Sequence, residues 1–236
     1  MAKLLKPVLE TILEKTLNIL LVSSSQRDDS KSFAVAQYLQ TNILNDMQGV
    51  ESSILDLSRY PVLLDHYGIG RETTDKGGIN RDDSTSLINN KDTVLKQLYS
   101  CDAVVFITPE WGGMIPPALV NLLLLTANGS ANGLPLGHKP AFAIGVSATG
   151  GGSNPISLLK GYAAKNSHLT WLPLHAIVQN VDDFLAQGWA PELDNRFSQV
   201  QSRLLVGLKS LTIYAKQLSG VREELVELSK VHPFGQ

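Results

Sequence analysis

The chain has 236 residues, 43% of them hydrophobic and 18% charged, with a formal net charge of −2 and a single cysteine. That balance suits a globular protein whose core needs no disulfide or metal staple. It argues against nucleic acid or an anionic membrane surface as the main partner. Cys101 cannot form an internal bridge, which points to a reducing, cytoplasmic setting, and its place before an apolar run reads as a buried, inert thiol.

Residues 1–16 carry Lys3 and Lys6 and then a mild apolar pattern, but Pro7, Glu10, Glu14 and Lys15 interrupt any signal-peptide core. They read as an amphipathic helical extension that docks on the domain or on a second subunit. Residues 17–22 (LNILLV) form a short continuous apolar run, the pattern of a strand buried on both faces. The polar stretch 23–32 follows, and then a helix in which Phe33, Val35, Ala36, Leu39, Ile43 and Leu44 recur near helical spacing. Residues 52–57 (SSILDL) read as a second strand, and the segment 58–90 as a long polar loop without a period.

A short helix over 92–99 leads into a third strand at 103–107 (AVVFI) and a loop at 108–115. Pro116 and Pro117 then open a helix that runs to about residue 127, because proline in a first helical turn removes only an N–H that has no partner there. Residues 141–146 (AFAIGV) form a fourth strand, 147–154 a loop of small residues, 156–165 a helix and 170–178 a fifth strand. Pro173 within that last run marks an edge position or a bulge. A long period over 196–218 gives the final helix. Glu223, Glu224 and Glu227, with Leu225 and Leu228, could form a helix for a partner in the tail. No apolar stretch approaches the roughly 20 residues that a bilayer requires, so no membrane partner is expected. The alternation predicts an α/β fold: a doubly wound, five-stranded parallel sheet with helices on both faces. It occupies residues 17–219, between the extension 1–16 and a tail over 220–236.

Ligands of open α/β sheets bind beyond the carboxyl ends of the strands. Three loops converge on that edge. The first, SSSQRDDSKS over 23–32, combines hydroxyls, one guanidinium and a helix start, which together bind a phosphate monoester; the alternative is an ordinary helix start capped by Asp29 or Ser30. Two like charges 4 Å apart repel by about 1 kcal/mol in water and about 4 kcal/mol at an effective dielectric of 20. A phosphate therefore requires Asp28 and Asp29 to face solvent or to cap the helix. The second loop (TPEWGGMIP, 108–116) could carry a planar ring system along its backbone, shielded by Trp111; the alternative is a tight turn with Trp111 covering the core. The third (SATGGGS, 147–153) could turn backbone N–H groups toward a polar ring edge, or act as a flexible linker.

No G-x-G-x-x-G follows the first strand and no G-x-S-x-G elbow is present, which speaks against a dinucleotide Rossmann site and an α/β-hydrolase. His66, His138, His168, His175 and His232 lack metal-ligand spacing, so no metal is expected. Trp171 and Trp189 read as packing residues.

These loops resemble those of the NADPH-dependent FMN reductases, which include quinone, azo-dye and chromate reductases. The family's G-S-x-R-x-x-S-x-N is similar to Ser25-x-Arg27-x-x-Ser30-x-Ser32, with Ser32 in place of Asn. Its P-E-Y-N-x-x-I-P-x-x-L-x-N is matched by Pro109, Glu110, Ile115, Pro116, Leu119 and Asn121, with Trp111 for Tyr and Gly112 for Asn. Leu55-Asp56-Leu57 with Pro61, Lys139-Pro140 and the 147–152 loop also look alike, so that the resemblance spans about residues 17–185.

The resemblance implies a flavodoxin-like fold and a cytoplasmic homodimer or homotetramer. It also implies an oxidoreductase that passes reducing equivalents from NADPH or NADH through bound FMN to a small-molecule acceptor such as a quinone. Ser25, Arg27, Ser30 and Ser32 would hold the FMN phosphate. Pro109, Glu110, Trp111, Gly112, Gly113 and Met114 would run along the isoalloxazine, and Ser147, Thr149, Gly150, Gly151 and Gly152 would contact its other edge. The flavin carries the chemistry, so no catalytic side chain is expected. The 58–90 segment would help to form the acceptor pocket or a subunit interface. The contrasting reading is a flavodoxin-like binding or regulatory module that has lost turnover or tight FMN binding; the departures at Gly112, at Leu124-Leu125 where the family often has Asp-Trp, and at the Asp28-Asp29 pair motivate it, with the two uncommitted ends.

Overall fold

The computed structural model describes residues 16–60, 81–127, 133–193 and 195–232. Five strands form one parallel sheet: β1 (Leu17–Ser23), β2 (Val50–Asp56), β3 (Ala103–Pro109), β4 (Pro140–Val146) and β5 (Thr170–Val178), in the spatial order β2-β1-β3-β4-β5. This is the flavodoxin-like order. The central strands β3 and β4 are buried along nearly their whole length, and β1 is exposed only at Asn18. That is why they read as continuous apolar runs: with helices on both faces, neither side of the pleat meets water.

Successive strand residues feed opposite cores. Ile19, Leu21, Val105, Ile107 and Ile144 pack against α1 (Lys31–Asn42), α5 (Val181–Ala186) and α6 (Arg196–Ser219). Leu20, Val22, Val104 and Phe106 pack against α2 (Arg81–Ser100), α3 (Pro117–Leu125) and α4 (Ser153–Ser167). Helix α6 starts in a capping box, with Asn195 Oδ1 accepting from Phe197 N and Ser198 N while Ser198 Oγ accepts from Asn195 N. It comes so close to β4 that a Cβ on Gly207 would run into the Phe142 ring. A last helix, α7 (Arg222–Ser229), follows it.

Pro173 satisfies both sequence expectations. β5 is an edge strand, and its register against β4 shifts between Ala141 and Ala143. The segment 58–90 needs correction: helix α2 begins at Arg81, so residues 81–90 are helical rather than loop. Leu87 and Ile88 are the only apolar residues there, and two adjacent positions announce no period. The extension over 1–15 and residues 61–80 of the polar segment lie outside the described residues. The short helix α5 had no counterpart in the sequence reading.

Candidate functional site

The chain turns one way from β1 to β2 and the other way to reach β3, so the crevice of the sheet opens beyond the carboxyl ends of β1 and β3. The three expected loops meet there, each tied to the next by specific contacts.

In the first loop Ser23, Ser24 and Ser25 are buried, although they are polar. Ser24 Oγ donates to Ile107 O (3.0 Å), locking the loop to β3, and Ser25 Oγ accepts from Arg27 N (3.3 Å). Ser30 is the N-cap of α1: its backbone is extended and its Oγ accepts from Phe33 N (3.1 Å), with Ser23 Oγ 3.4 Å away. Asp28 and Asp29 are exposed, which meets the condition that a phosphate imposes on them. The Lys31 ammonium is held above its usual pKa by a hydrogen bond from Nζ to the Asp182 carboxylate (2.5 Å) and by that charge. Ser32 sits in the first turn of α1, and its hydroxyl is buried without a partner.

The second loop is a tight hairpin rather than an extended strip. Trp111 N donates to Met114 O and Met114 N to Trp111 O, both at 3.0 Å. Gly112 (φ 57°) and Gly113 (φ 84°) supply the two positive φ values that a two-residue type I′ turn demands. Trp111 is half-buried at the base of the hairpin, and the exposed Arg27 guanidinium lies over its ring, 5.2 Å from the centroid. Gln26 makes a second link between the loops, its Oε1 accepting from Ala118 N (3.3 Å) at the start of α3. The N-cap of that helix, Pro116, has no polar side chain to do so.

Pro109 ends β3, and Glu110 N continues the ladder to Val146 O (3.1 Å). The Glu110 carboxylate then crosses to the third loop, where it accepts from Gly152 N. Gln179 holds that loop from the other flank, donating to the carbonyls of Gly150 and, at 3.0 Å, Gly151. Ser147 Oγ accepts from Thr149 N (3.2 Å), and the Thr149 and Ser147 carbonyls accept from Asn180 N and Val181 N. Beneath the loop, a Cβ on Gly145 would run into Gly152 O.

All fifteen residues singled out in the sequence therefore lie at one edge of the sheet, but not all with groups free for a ligand. Ser32 has an unpartnered hydroxyl, whereas the Glu110 carboxylate is engaged within the protein. Sequence reasoning missed Gln26, Gln179, Gly145 and Thr108. The Thr108 hydroxyl, at the carboxyl end of β3, is buried and unpartnered like that of Ser32. A polar residue closing an otherwise apolar run was the one signal that could have found it. Each such orphan costs about 1–3 kcal/mol unless a bound group satisfies it; a third among the described residues, Trp171 Nε1, stands alone at the opposite edge, so it is the clustering of two hydroxyls at a switch point that suits a polar ligand. A phosphorylated, hydroxylated chain with a planar ring fits this edge: oxygen-bearing groups near α1 and β3, and a ring between the hairpin and the glycine turn.

A groove of about 590 Å³ lies at the opposite, amino-terminal edge beside α6 and α7, lined in part by Asp102, His138 and Arg222. Its polar groups serve the fold. Arg222 Nε donates to Gly137 O (3.0 Å), and His138 Nε2 lies 2.7 Å from Ser229 Oγ.

The model of a family described as NADPH-dependent FMN reductase matches residues 17–180. Among solved structures, an oxidoreductase from Corynebacterium diphtheriae has a TM-score of 0.60 at 12% identity, over 86% of this chain and 98% of that one. The apo form of an NADH:FMN oxidoreductase (EMOB) has a TM-score of 0.61 at 11% identity, over 88% and 94%. The flavoenzyme NAD(P)H:(acceptor) oxidoreductase FerB from Paracoccus denitrificans has a TM-score of 0.55 at 18% identity, over 85% and 98%. At these identities the likeness is one of fold. A search of curated proteins gives no match.

Proposed function

The chain belongs to the NADPH-dependent FMN reductase family, and from that premise we propose that it delivers electrons from NAD(P)H to a small planar acceptor such as a quinone at the carboxyl edge of its sheet. It is an NAD(P)H-dependent reductase with FMN as cofactor. What the reading adds is the acceptor class and the residues that hold the cofactor. The observation that carries the placement is the pair of buried, unpartnered hydroxyls, Ser32 Oγ and Thr108 Oγ1, beside the switch point.

When bound, FMN supplies the redox chemistry, taking electrons from the nicotinamide and passing them to the acceptor. The protein binds and orients. Ser25, Ser30 and Ser32, with the first-turn amides of α1, receive the phosphate, where the helix dipole favours an anion. Arg27, now over Trp111, is within the same loop and adds a charge-assisted contact. Thr108 Oγ1 would take a hydroxyl of the chain between phosphate and ring. The hairpin over Trp111–Met114 would shield the ring, and its Met114 side chain, 56% exposed, would offer an apolar contact to an aromatic acceptor. Amides of the glycine turn other than Gly152 N–H, which Glu110 holds, would lie toward the ring edge and favour negative charge there. No side chain at this edge is required to move a proton.

The test is the visible spectrum of the purified chain after FMN is added and the excess removed. Flavin bands that bleach with NADPH and recover with a quinone are expected. A chain that titrates with no FMN would overturn the assignment and favour the binding-module reading. Sedimentation in the same buffer measures the expected homo-oligomer.

A further inference from the structure

The glycine turn between β4 and α4 is gripped from three sides. From below, Gly145 leaves room for Gly152 O only because it has no side chain, and a Cβ on Gly152 would meet Ile177 at 2.7 Å. On one flank Gln179 takes the carbonyls of Gly150 and Gly151. On the other, Glu110 takes the N–H of Gly152. In a trans peptide the C=O and the N–H point in opposite directions. With the Gly150 and Gly151 carbonyls turned to Gln179, the amides of Gly151 and Gly152 therefore turn to the Glu110 side. A Cβ on Gly151 would stand 2.9 Å from Glu110 Oε2, which puts the carboxylate against both residues. The stem of Glu110 is itself fixed, since its N–H extends the β3–β4 ladder to Val146 O.

We propose that Glu110 is a positioning residue: its carboxylate on the Gly152 N–H decides which way the amides of the turn point, and so which donors the turn presents to the edge of a flavin ring. This deepens the proposed function and rests on it for the flavin alone; the latch is a property of the protein by itself. Its logic is geometric. Three consecutive glycines make a permissive backbone, and an unconstrained Gly150–Gly152 turn would sample several amide directions. Gln179 fixes the carbonyls and Glu110 fixes an amide, so that both ends of the Gly151–Gly152 peptide are held. A glutamine at 110 keeps an oxygen acceptor in the same place without the charge, whereas alanine removes the latch.

The experiment has two arms. In the ¹⁵N-labelled apo protein, the Gly152 amide is expected to be protected from hydrogen exchange, and the protection is expected to be lost in Glu110→Ala and kept in Glu110→Gln. A Gly152 amide that exchanges as fast in the native chain as in Glu110→Ala overturns the latch, whether or not FMN binds. In the second arm FMN is titrated by quenching of its fluorescence. Glu110→Ala is expected to weaken FMN about tenfold, the loss of one charge-assisted hydrogen bond, and Glu110→Gln to recover to within about threefold of the native value. Equal losses in both variants would assign the effect to charge and overturn the positioning role. A native chain that binds no FMN while the Gly152 amide is protected as expected would overturn the proposed function and leave the latch standing.

Discussion

At the amino-terminal edge of the sheet most polar side chains are closed onto the protein, and one buried polar atom, Trp171 Nε1 near the start of β5, has no partner. Lys139 is fully buried, yet its Nζ donates to Leu98 O and, at 2.9 Å, to Tyr99 O, the last carbonyls of α2, with Cys101 Sγ 3.6 Å away. Cys101 donates its own thiol hydrogen to Leu98 O at 3.4 Å, and burial pushes that thiol up from its ordinary pKa. At the carboxyl edge the pattern reverses: Ser32 and Thr108 are buried with nothing to bond, and Arg27 rests on an aromatic face rather than on an anion. The amino edge has the 590 Å³ groove. The lesson is that two unpartnered hydroxyls clustered beside one switch point, rather than empty volume, mark the edge that suits a polar ligand. A satisfied polar group stabilises the fold, and an orphaned one is tolerated where a bound group completes it.

The contrast is broken most strongly at Lys139. Lys139→Ala removes a buried stem and leaves the α2 carbonyls uncapped, and a loss of about 2–4 kcal/mol in urea unfolding is expected, with FMN affinity unchanged. An equal loss of FMN affinity would show that the two edges are not independent. Burial pushes the Lys139 ammonium down to about 8 from 10.5, opposed by Cys101. Between those values the unfolded chain holds a proton that the native chain has released. Native stability relative to Lys139→Met is therefore expected to be level below pH 8 and to rise from there toward 10.5. The difference between the two curves reads Lys139 together with its contact to Cys101, whose raised pKa acts in the opposite sense.

At the carboxyl edge the effect moves from stability to affinity. Arg27→Ala is expected to weaken FMN by about 1.5–3 kcal/mol, roughly 10- to 150-fold. The stability change should stay within about 1 kcal/mol, because the residue is exposed and its cation–π contact is worth little in water. Unchanged FMN affinity would remove Arg27 from the phosphate site and leave it as a clip for Trp111.

Much of this arrangement was legible in the sequence, and the reason is local. β1, β3 and β4 are continuous apolar runs because both faces are covered, and α6 displays its period over 24 residues. The three loops stood out because hydroxyls and glycines are concentrated between those runs. What could not be read is what joins them. Gln26 to Ala118 spans 92 positions and Glu110 to Gly152 spans 42. Gly145 is constrained only because Gly152 crosses above it. Such contacts follow from strand order, which no local spacing encodes. The first half of α2 was missed for the opposite reason, since a stretch whose only apolar residues are the adjacent Leu87 and Ile88 carries no period.

The smallest change sharpens the comparison furthest. Ser32→Ala deletes one oxygen from a buried position where it bonds to nothing in the protein. In the apo chain that removes a desolvated, unsatisfied hydroxyl, so stability is expected to stay level or rise by up to about 1 kcal/mol. With FMN present the same oxygen is a phosphate donor, and its loss is expected to weaken binding by about 0.5–1.5 kcal/mol. Two effects of opposite sign from one atom distinguish a ligand-binding group from a structural one. A satisfied core serine would lose stability on truncation and leave FMN alone. If Ser32→Ala destabilises the apo protein, its hydroxyl has a partner within the fold, and the carboxyl edge is as closed as the amino edge.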